Sequence, residues 1–354
     1  MRTRCCLYTV EIGNRERGAA MQILGNKQVL ANLIRQQRAI DEGKKAPLKI
    51  AKIMLGGGMA CVRGAGVDEA IAEYAPDAAD VCAAISGGAA VEFGFLSGKP
   101  KLARAIFGSL TWNDFIVRKN WSIKMKIDQV TKVLSAIGDA EVRAHRSDFL
   151  VFVTEFSTGK YRAINAKQTS DMVEVVRASM MIPGLCSGVV QLDGQQMCDG
   201  AFGMPLPIRY IAKKYRPTDI LIVFNSPLPE TLGWIKWHLF PLLDNLYLKF
   251  YGVPRSTRDR AAATNRVMAY ELQMLTRRKA STWREFFAGI FKKTKRSLPR
   301  ERSKIRWCII APEAHEAISH LCTDRKVVRE AGKQGYEFMK KLMQEAEANL
   351  DKDK

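Results

Sequence analysis

Short apolar segments recur along the chain, and most of them run into glycine or another turn-forming residue. Four lie at 48–55, 81–85, 149–159 and 218–226, and a fifth at 305–312. Their length and their content of β-branched residues predict buried strands, and amphipathic or alanine-rich helical stretches lie between several of them. This alternation is typical of an α/β protein, and the 354 residues allow one large domain or two smaller ones.

The segment Val81–Ile85 runs directly into Ser86, two glycines and an alanine-rich helix. A serine between a buried strand and a helix lies on a sharp turn that lifts its hydroxyl clear of the backbone. Ala84 and Gly88 keep the flanking elements apart, and Gly87 tolerates the strained turn. The pattern is that of a G-x-S-x-G nucleophile elbow whose first glycine is alanine. An ordinary tight turn with a capping serine fits the same residues.

A glycine triplet, Gly56 to Gly58, follows the segment at 48–55 and precedes a helix that we expect to reach about Tyr74. Strand, glycine loop and helix together point free backbone N–H groups at an anion. The loop lacks the Lys-Ser or Lys-Thr of a phosphate-binding P-loop, and its glycine spacing differs from a dinucleotide fingerprint. An oxyanion hole needs only free N–H donors beside a nucleophile, which predicts that role for Gly56, Gly57, Gly58 and Met59.

Residues 174–208 predict a helix, a turn at Pro183-Gly184, and a hairpin whose second strand stops at Asp199-Gly200. The commonest meaning of Asp-Gly is a hairpin turn. Asp193-Gly194 lies between the two short strands and is the better candidate for that turn. Asp199 is therefore available for another role.

These blocks resemble the patatin-like phospholipase family, in particular a bacterial-type branch of it. The residues that carry the resemblance are G-G-G-M-A-C-V-R-G-A-G-V from Gly56, A-I-S-G-G-A around Ser86, and A-S-M-M-I-P followed by Asp199-Gly200. The resemblance spans about residues 28–345. It implies a three-layer αβα sandwich with a mainly parallel central sheet and helical insertions.

The same resemblance implies a serine lipid acyl hydrolase that uses a Ser86–Asp199 dyad and needs neither metal nor cofactor. Gly200 belongs to the same motif, beside the aspartate. The chain departs from the family loop G-G-G-x-R-G, because Ala60 and Cys61 stand at its arginine and glycine. Arg63 lies three positions after Ala60, on the same face of the predicted helix.

A hydrolytic serine usually requires a histidine base, and the chain has four histidines. None of them lies in a motif with Ser86 or Asp199, and each is more readily explained as an ordinary residue. They are His145, His238, His315 and His320. A two-residue serine–aspartate site explains why no histidine is placed.

The composition predicts four regions. Residues 1–45 are polar and basic and are expected to form a partly mobile lead-in, with a helix near Val29 to Ile34. Residues 46–226 are expected to form the catalytic core, and residues 227–304 an aromatic and basic helical insertion. Residues 305–354 are expected to form the last strand and the C-terminal helix of the same domain.

The alternation of aromatic and basic residues between Leu102 and Ala136 is consistent with either a cap over an apolar cleft or a solvated helix pair.

The chain is strongly basic, with 56 Lys and Arg against 36 Asp and Glu and a net charge of +20. Twelve basic residues against two glutamates lie between Arg277 and Arg306. Aromatic residues recur there at helical spacing, which is typical of a helix on an anionic membrane surface. Nucleic acid is the competing partner, but no nucleic-acid-binding motif accompanies this basic segment.

The composition of residues 232–251 is consistent with either an interfacial helix pair or a buried insertion. The candidate surface residues are Trp234, Trp237, Trp283, Arg284, Lys292, Lys293, Lys295 and Arg296.

Eight cysteines are scattered through apolar segments without a C-x-x-C pair, which predicts free thiols in a reducing compartment. No apolar segment is long enough to span a bilayer. We expect a cytoplasmic protein that contacts membranes peripherally.

Two functions are consistent with the sequence. The first is hydrolysis of acyl esters of membrane glycerolipids, with an anionic membrane surface as partner. The second is a patatin fold that has lost turnover and binds anionic membranes or other polyanions. Retention of Ser86 and Asp199 favours the first, and the Ala60 and Cys61 departures favour the second.

Overall fold

The structure is a computed structural model, and it describes residues 20–111, 115–119, 122–228, 248–276 and 305–352. Eleven strands occur in these residues, most of them short, apolar and buried. They are β1 Met21–Gly25, β2 Ile50–Met54, β3 Val81–Ile85, β4 Ile116–Lys119, β5 Ser122–Met125, β6 Asp148–Glu155, β7 Tyr161–Asn165, β8 Val190–Leu192, β9 Gln195–Asp199, β10 Asp219–Val223 and β11 Arg306–Pro312.

Nine of these strands form one mixed sheet. Its centre consists of five parallel strands in the order β11, β10, β2, β3 and β6. Antiparallel strands complete both sides: β1 pairs with β11, while β7 and β9 pair with β6 and β8 pairs with β9. Strands β4 and β5 form a separate hairpin. The predicted parallel sheet is therefore the middle of a mixed one.

Helices cover both faces of this sheet. Those of the described residues are α1 Gln28–Asp41, α2 Cys61–Ala72, α3 Gly87–Leu96, α4 Pro100–Leu110, α5 Asp128–Ile137, α6 Ala140–Ala144, α7 Met172–Met180, α8 Ile208–Lys214, α9 Arg255–Thr276 and α10 Arg325–Lys352. Side chains that alternate along the central strands point to two separate cores, since successive strand residues face opposite sides. Helices α1 to α7 and α10 bury their apolar residues on one face, and α8 and α9 on the other. The α/β prediction with three layers is confirmed.

The fold begins before residue 45, where the sequence predicted a partly mobile lead-in. Strand β1 pairs along its length with β11, and Met21 is buried. Helix α1 buries Val29, Leu30, Leu33 and Ile34 against the sheet. Its apolar stripe at helical spacing explains why it packs there rather than remaining solvated.

Residues 100–137 combine helices with the β4–β5 hairpin, which the sequence did not predict. The Met125 N–H donates to the Leu185 carbonyl at 2.7 Å, and the Lys126 N–H donates to the Phe115 carbonyl at 2.8 Å. Lys124 Nζ donates to the Gly184 carbonyl at 3.1 Å. The bonds of Met125 and Lys124 fasten the hairpin to the segment that follows α7, so this region forms a cap rather than an isolated helix pair.

A buried charge cluster lies between the sheet and helices α2 and α3. Lys52 Nζ donates to Asp68 Oδ1 at 2.7 Å and lies 3.0 Å from Glu92 Oε1, and all three side chains are fully buried. The Lys52 ammonium also lies 3.3 Å from the centre of the Phe95 ring. Burial raises the pKa of Asp68, and the Lys52 ammonium opposes that rise. The cluster joins β2 to the two helices that start beside the glycine triplet and Ser86.

Candidate active site

Ser86 lies between β3 and α3, at the turn that the elbow pattern predicts. Its backbone has φ 56° and ψ −138°, a conformation that costs a non-glycine residue free energy. Strained residues of this kind persist where the surrounding structure holds them, and they concentrate at functional sites. The residue is 6% exposed. The elbow interpretation is favoured over an ordinary capping turn, since the Ser86 side chain makes no capping hydrogen bond to α3.

Close backbone contacts explain the small residues around this serine. A Cβ on Gly56 would lie 2.7 Å from Ser86 Cβ, and one on Gly88 would lie 2.6 Å from the Leu55 carbonyl oxygen. A Cβ on Gly87 would lie 3.0 Å from Cys61 Sγ. Ala84 is fully buried in β3. Any larger residue at the two tightest positions would push the nucleophile and the glycine loop apart.

A second serine holds the backbone of the first. The Ser86 N–H donates to Ser179 Oγ at 2.9 Å, and the Ser179 hydroxyl donates to the Phe152 carbonyl at 2.7 Å. Ser179 thereby connects the end of α7 to β3 and β6. In the sequence this serine is visible only as part of a family segment, since its contact joins residues 93 positions apart.

The register of β6 brings Asp199 to Ser86. Strand β7 occupies one edge of β6, at β6 residues 150–154. Strands β3 and β9 therefore share the other edge of β6, where β3 pairs with residues 148–152 and β9 with residues 153–155. The last residue of β3, Ile85, pairs with Phe152, and Asp199 pairs with the next residue, Val153. Strand β9 therefore begins its pairing where β3 ends. Asp199, at the end of β9, lies beside the serine that follows β3.

The Asp199 side chain is buried and carries one strong local hydrogen bond. Its Oδ1 accepts from the Ala201 N–H at 2.8 Å. Burial raises its pKa to about 6, while the nearby Ser86 hydroxyl and the Ala201 N–H both lower it. Its Oδ2 has no aligned hydrogen-bond donor within the described residues. The Ser86 hydroxyl is thus close enough to the carboxylate to influence its pKa.

The glycine that follows Asp199 is required by packing. A Cβ on Gly200 would lie 2.1 Å from the Phe152 carbonyl oxygen, and φ there is not in the left-handed region. The Thr154 hydroxyl donates to the Asp199 carbonyl at 2.8 Å and accepts from the Gly203 N–H at 2.9 Å. The hairpin turn itself falls at Asp193-Gly194, as the sequence predicted. Asp199-Gly200 therefore serves to place a carboxylate against β6.

The loop from Gly56 to Met59 contains both free and occupied backbone donors. The N–H groups of Gly57 and Gly58 form no hydrogen bond to any described residue. The Met59 N–H, which the sequence placed in the oxyanion hole, instead donates to the His320 carbonyl at 2.9 Å. That contact joins the loop to a segment some 260 residues away in sequence, which local patterns do not reveal.

The departures from the family loop are both buried. Ala60 and Cys61 are inaccessible to solvent, and Cys61 Sγ packs against Gly57 and Gly87. Burial raises the pKa of the Cys61 thiol, which keeps it protonated and unreactive. Arg63 does not reach the serine side of the loop: its Nη2 donates to Gln334 Oε1 of α10 at 3.0 Å. It therefore does not take the place of the family arginine.

Asn225 is a further support of the loop that the sequence analysis missed. Its Nδ2 donates to the Leu55 carbonyl at 2.5 Å, and its Oδ1 accepts from the Gly64 N–H at 2.9 Å. It thus fixes the residue before the triplet and the first turns of α2. The available signal was an asparagine two residues after the end of β10, at the sheet edge where the other parallel strands end.

An apolar cleft opens from the serine. It has a volume of about 20 Å³, room for about one water molecule, and Ser86, Gly58 and Gly87 form one end. The cap supplies most of the remaining wall, so the cleft interpretation is favoured over the solvated helix pair. The apolar lining residues are Ala90, Phe107, Leu110, Phe115, Met125, Ile127, Val130, Met180 and Ile182.

The described histidines have other partners. His145 lies 3.3 Å from Asp77, His315 lies 3.9 Å from Glu316, and His320 Nε2 lies 2.7 Å from Ser226 Oγ. His238 and the eight candidate surface residues between Trp234 and Arg296 lie outside the described residues. No helix of the described ranges has the length and apolarity to cross a membrane.

The chain was compared with family models, solved structures and curated proteins. Residues 53–212 match the family model described as patatin-like phospholipase. The crystal structure of VipD from Legionella pneumophila is similar over 85% of this chain and 68% of that one, at 10% identity and a TM-score of 0.36. No curated protein matches the chain.

Proposed function

Residues 53–212 form a patatin-like phospholipase domain, and from this premise we propose that the chain hydrolyses acyl esters of membrane glycerolipids through a Ser86–Asp199 dyad. One observation carries the proposal. A strained, buried serine lies beside a buried carboxylate, at the end of an apolar cleft and next to two free backbone donors. Each part has a role in acyl transfer.

In the first step, Asp199 accepts the proton of the Ser86 hydroxyl while Ser86 Oγ attacks the ester carbonyl. A pKa of about 6 leaves Asp199 largely ionised at neutral pH and makes it a stronger base than an exposed aspartate. The free Oδ2 is the oxygen available to the serine, since Oδ1 accepts from Ala201.

The developing oxyanion is held by backbone N–H groups. Gly57 and Gly58 supply the donors, and the Gly87 N–H at the first position of α3 can add a third. One such donor stabilises a transition state by about 3 kcal/mol. Because the Met59 N–H is bound to His320, it contributes nothing to this hole.

The leaving alcohol takes the proton from Asp199, and the acyl chain remains on Ser86. Water, activated by the same carboxylate, then releases the fatty acid and restores the serine. The apolar wall of the cleft suits an acyl chain, because it presents methyl and aromatic groups of the cap. The cap must move outward to admit the chain, since the closed cleft holds only about 20 Å³. The basic region around residues 277–306 is proposed to hold the enzyme on an anionic membrane surface.

The test is hydrolysis of a short-chain p-nitrophenyl ester and of anionic phospholipid vesicles by wild type and two variants. Ser86→Ala and Asp199→Asn are expected to lower kcat/KM by about a thousandfold or more. Ser97→Ala changes a buried serine at the other end of α3, and Asp193→Asn changes an aspartate in the turn before β9. Both controls are expected to retain activity.

The competing function is a patatin fold without turnover that binds anionic surfaces. It is favoured by the substitution of the family arginine and glycine by Ala60 and Cys61. Folded wild-type protein that is as inert as Ser86→Ala on both substrates would establish this second function instead.

A further inference from the structure

Arg63 is almost completely buried without a full set of partners. It is 1% exposed, and its Nη2 donates to Gln334 Oε1 at 3.0 Å. Its Nε and Nη1 form no hydrogen bond to any residue that the structure describes. Gln334 in turn donates from Nε2 to Glu316 Oε2 at 3.3 Å. Arg63 is therefore linked to the Glu316 carboxylate only through the Gln334 amide.

Such an arrangement is costly and calls for a physical explanation. Arginine remains charged in proteins, and a buried charged donor without an acceptor loses more free energy than a neutral one. Burial lowers the pKa of Arg63, and the Glu316 carboxylate only partly offsets this. Native structures satisfy nearly all buried polar groups, with protein, water or a ligand.

Arg63 borders a cavity of about 470 Å³, a size typical of small-molecule sites. The cavity lies between the start of α2, the segment after β11 and the first turns of α10, and it shares no residue with the cleft at Ser86. The side chains that border it besides Arg63 include Glu316, Ile318, Lys326, Glu330 and Gln334.

We propose that this cavity is a second binding site, which takes a small anion with a phosphate or carboxylate group on the Arg63 guanidinium. The unpaired Nε and Nη1 of Arg63 lie on different edges of the guanidinium, and each can donate a charge-assisted hydrogen bond to an oxygen of such a group. Lys326 adds a second positive charge at the rim, on the first turn of α10. Glu316 and Glu330 limit the site to small ligands of low charge, since they repel extended polyanions.

The site lies behind the glycine loop but does not depend on the hydrolase proposal. Arg63 follows that loop by one helical turn, and Ile318 is two residues from His320, whose carbonyl holds the Met59 N–H. Binding can be measured directly, so its outcome is separate from that of the activity test.

The experiment is titration of the full chain with sodium phosphate and with sodium acetate by isothermal calorimetry. We expect saturable binding by wild type, and at least tenfold weaker binding by Arg63→Met. Lys326→Gln should weaken binding several-fold, whereas Lys333→Gln, an equal change of charge on the same helix outside the cavity, should not. Glu330→Gln should tighten it.

Vesicles of phosphatidic acid in phosphatidylcholine distinguish the source of the anion. Arg63-dependent binding to these vesicles would assign it to a lipid headgroup, and binding of free phosphate or acetate alone to a soluble ligand. If wild type binds none of these probes, or if Lys326→Gln and Glu330→Gln bind phosphate as wild type does, the proposal is wrong. These two surface variants keep the test valid even if Arg63→Met does not fold.

Discussion

Asp199 is buried, and its pKa lies close to neutral pH. Its pKa of about 6 results mainly from burial, which disfavours the charged carboxylate. Only the ionised form can accept the proton of Ser86. The acidity of this one side chain therefore determines the pH range in which the proposed hydrolase works.

We predict that kcat/KM on a soluble ester rises with pH and is half-maximal near pH 6. Below that value the protonated fraction grows, and activity should fall tenfold for each pH unit. Above about pH 7 it should reach a plateau. The measurement is the pH–rate profile between pH 4.5 and 8, with folding checked by circular dichroism at each pH. A midpoint near pH 4, typical of an exposed aspartate, would contradict the role of burial.

At this scale, the sequence revealed residues whose signal is local. Ser86, Asp199 and Gly56 to Gly58 lie in short motifs at the ends of strands, where backbone geometry restricts the choice of residue. Their catalytic roles remain predictions. Ser179, Asn225 and the His320 carbonyl were missed because their contacts join segments far apart in the chain.

Helices α2 and α10 pack with their backbones almost in contact. A Cβ on Gly66 would lie 2.0 Å from the Gly332 carbonyl oxygen, and one on Gly335 would lie 2.2 Å from the Arg63 carbonyl oxygen. Because the obstacles are backbone atoms, no side-chain rotation can relieve the clash.

We therefore predict that Gly66→Ala and Gly335→Ala each lower the free energy of unfolding by about 1–3 kcal/mol or more. Gly108→Ala is the matched control, since it lies in α4 with nothing near its Cβ position. That change should leave stability unchanged or raise it by about 1 kcal/mol, because alanine favours a helix. Urea denaturation measures all three. Equal effects at the three sites would show that helix propensity, not packing, decides.

The Lys52 cluster fixes β2, α2 and α3 relative to one another by charge. Lys52→Met leaves Asp68 and Glu92 buried without their cation, and we predict a loss of about 3–5 kcal/mol. Lys49→Met, at an exposed position just before β2, should change stability by less than about 0.5 kcal/mol. Thermal and urea denaturation at pH 7 measure both. A Lys52→Met protein as stable as wild type would mean that the two carboxyls are satisfied without the lysine.

Elements with continuous apolar content were predicted from sequence, and those that depend on tertiary packing were not. Segments 81–85 and 305–312 match β3 and β11 closely, because buried strands need β-branched and apolar residues at every position. The β4–β5 hairpin mixes aliphatic and basic residues in two four-residue strands, so its pairing and its contact with Leu185 leave no periodic signal. Strand β1 is recognisable only through its partner β11.

On the scale of the whole molecule, the excess of positive charge is unevenly distributed. We predict that replacing Lys292, Lys293, Lys295 and Arg296 with glutamine weakens binding to phosphatidylglycerol vesicles, by about 1 kcal/mol per charge at low salt. Added salt should weaken wild-type binding as well, because it screens the attraction. Vesicle co-sedimentation measures both effects.

A matched control removes the same amount of charge elsewhere. Four exposed lysines serve this purpose, and their replacement should have a much smaller effect on vesicle binding. They are Lys44, Lys101, Lys132 and Lys333. Equal losses in the two quadruple variants would indicate that net charge alone, rather than the segment at 277–306, directs the protein to the membrane.

The position of β11 has a consequence for how this protein is made. Strand β11 is inserted between β1 and β10, so Met21 pairs with Pro312 and Asp219 with Arg306. During synthesis, the backbone groups of β1 and of one edge of β10 therefore stay unpaired until residue 312 has left the ribosome. A nascent chain stopped before that point exposes an apolar strand edge, which is prone to pair with other chains. Completion of the sheet, and with it of the core on both faces, is thus possible only after β11 has been made.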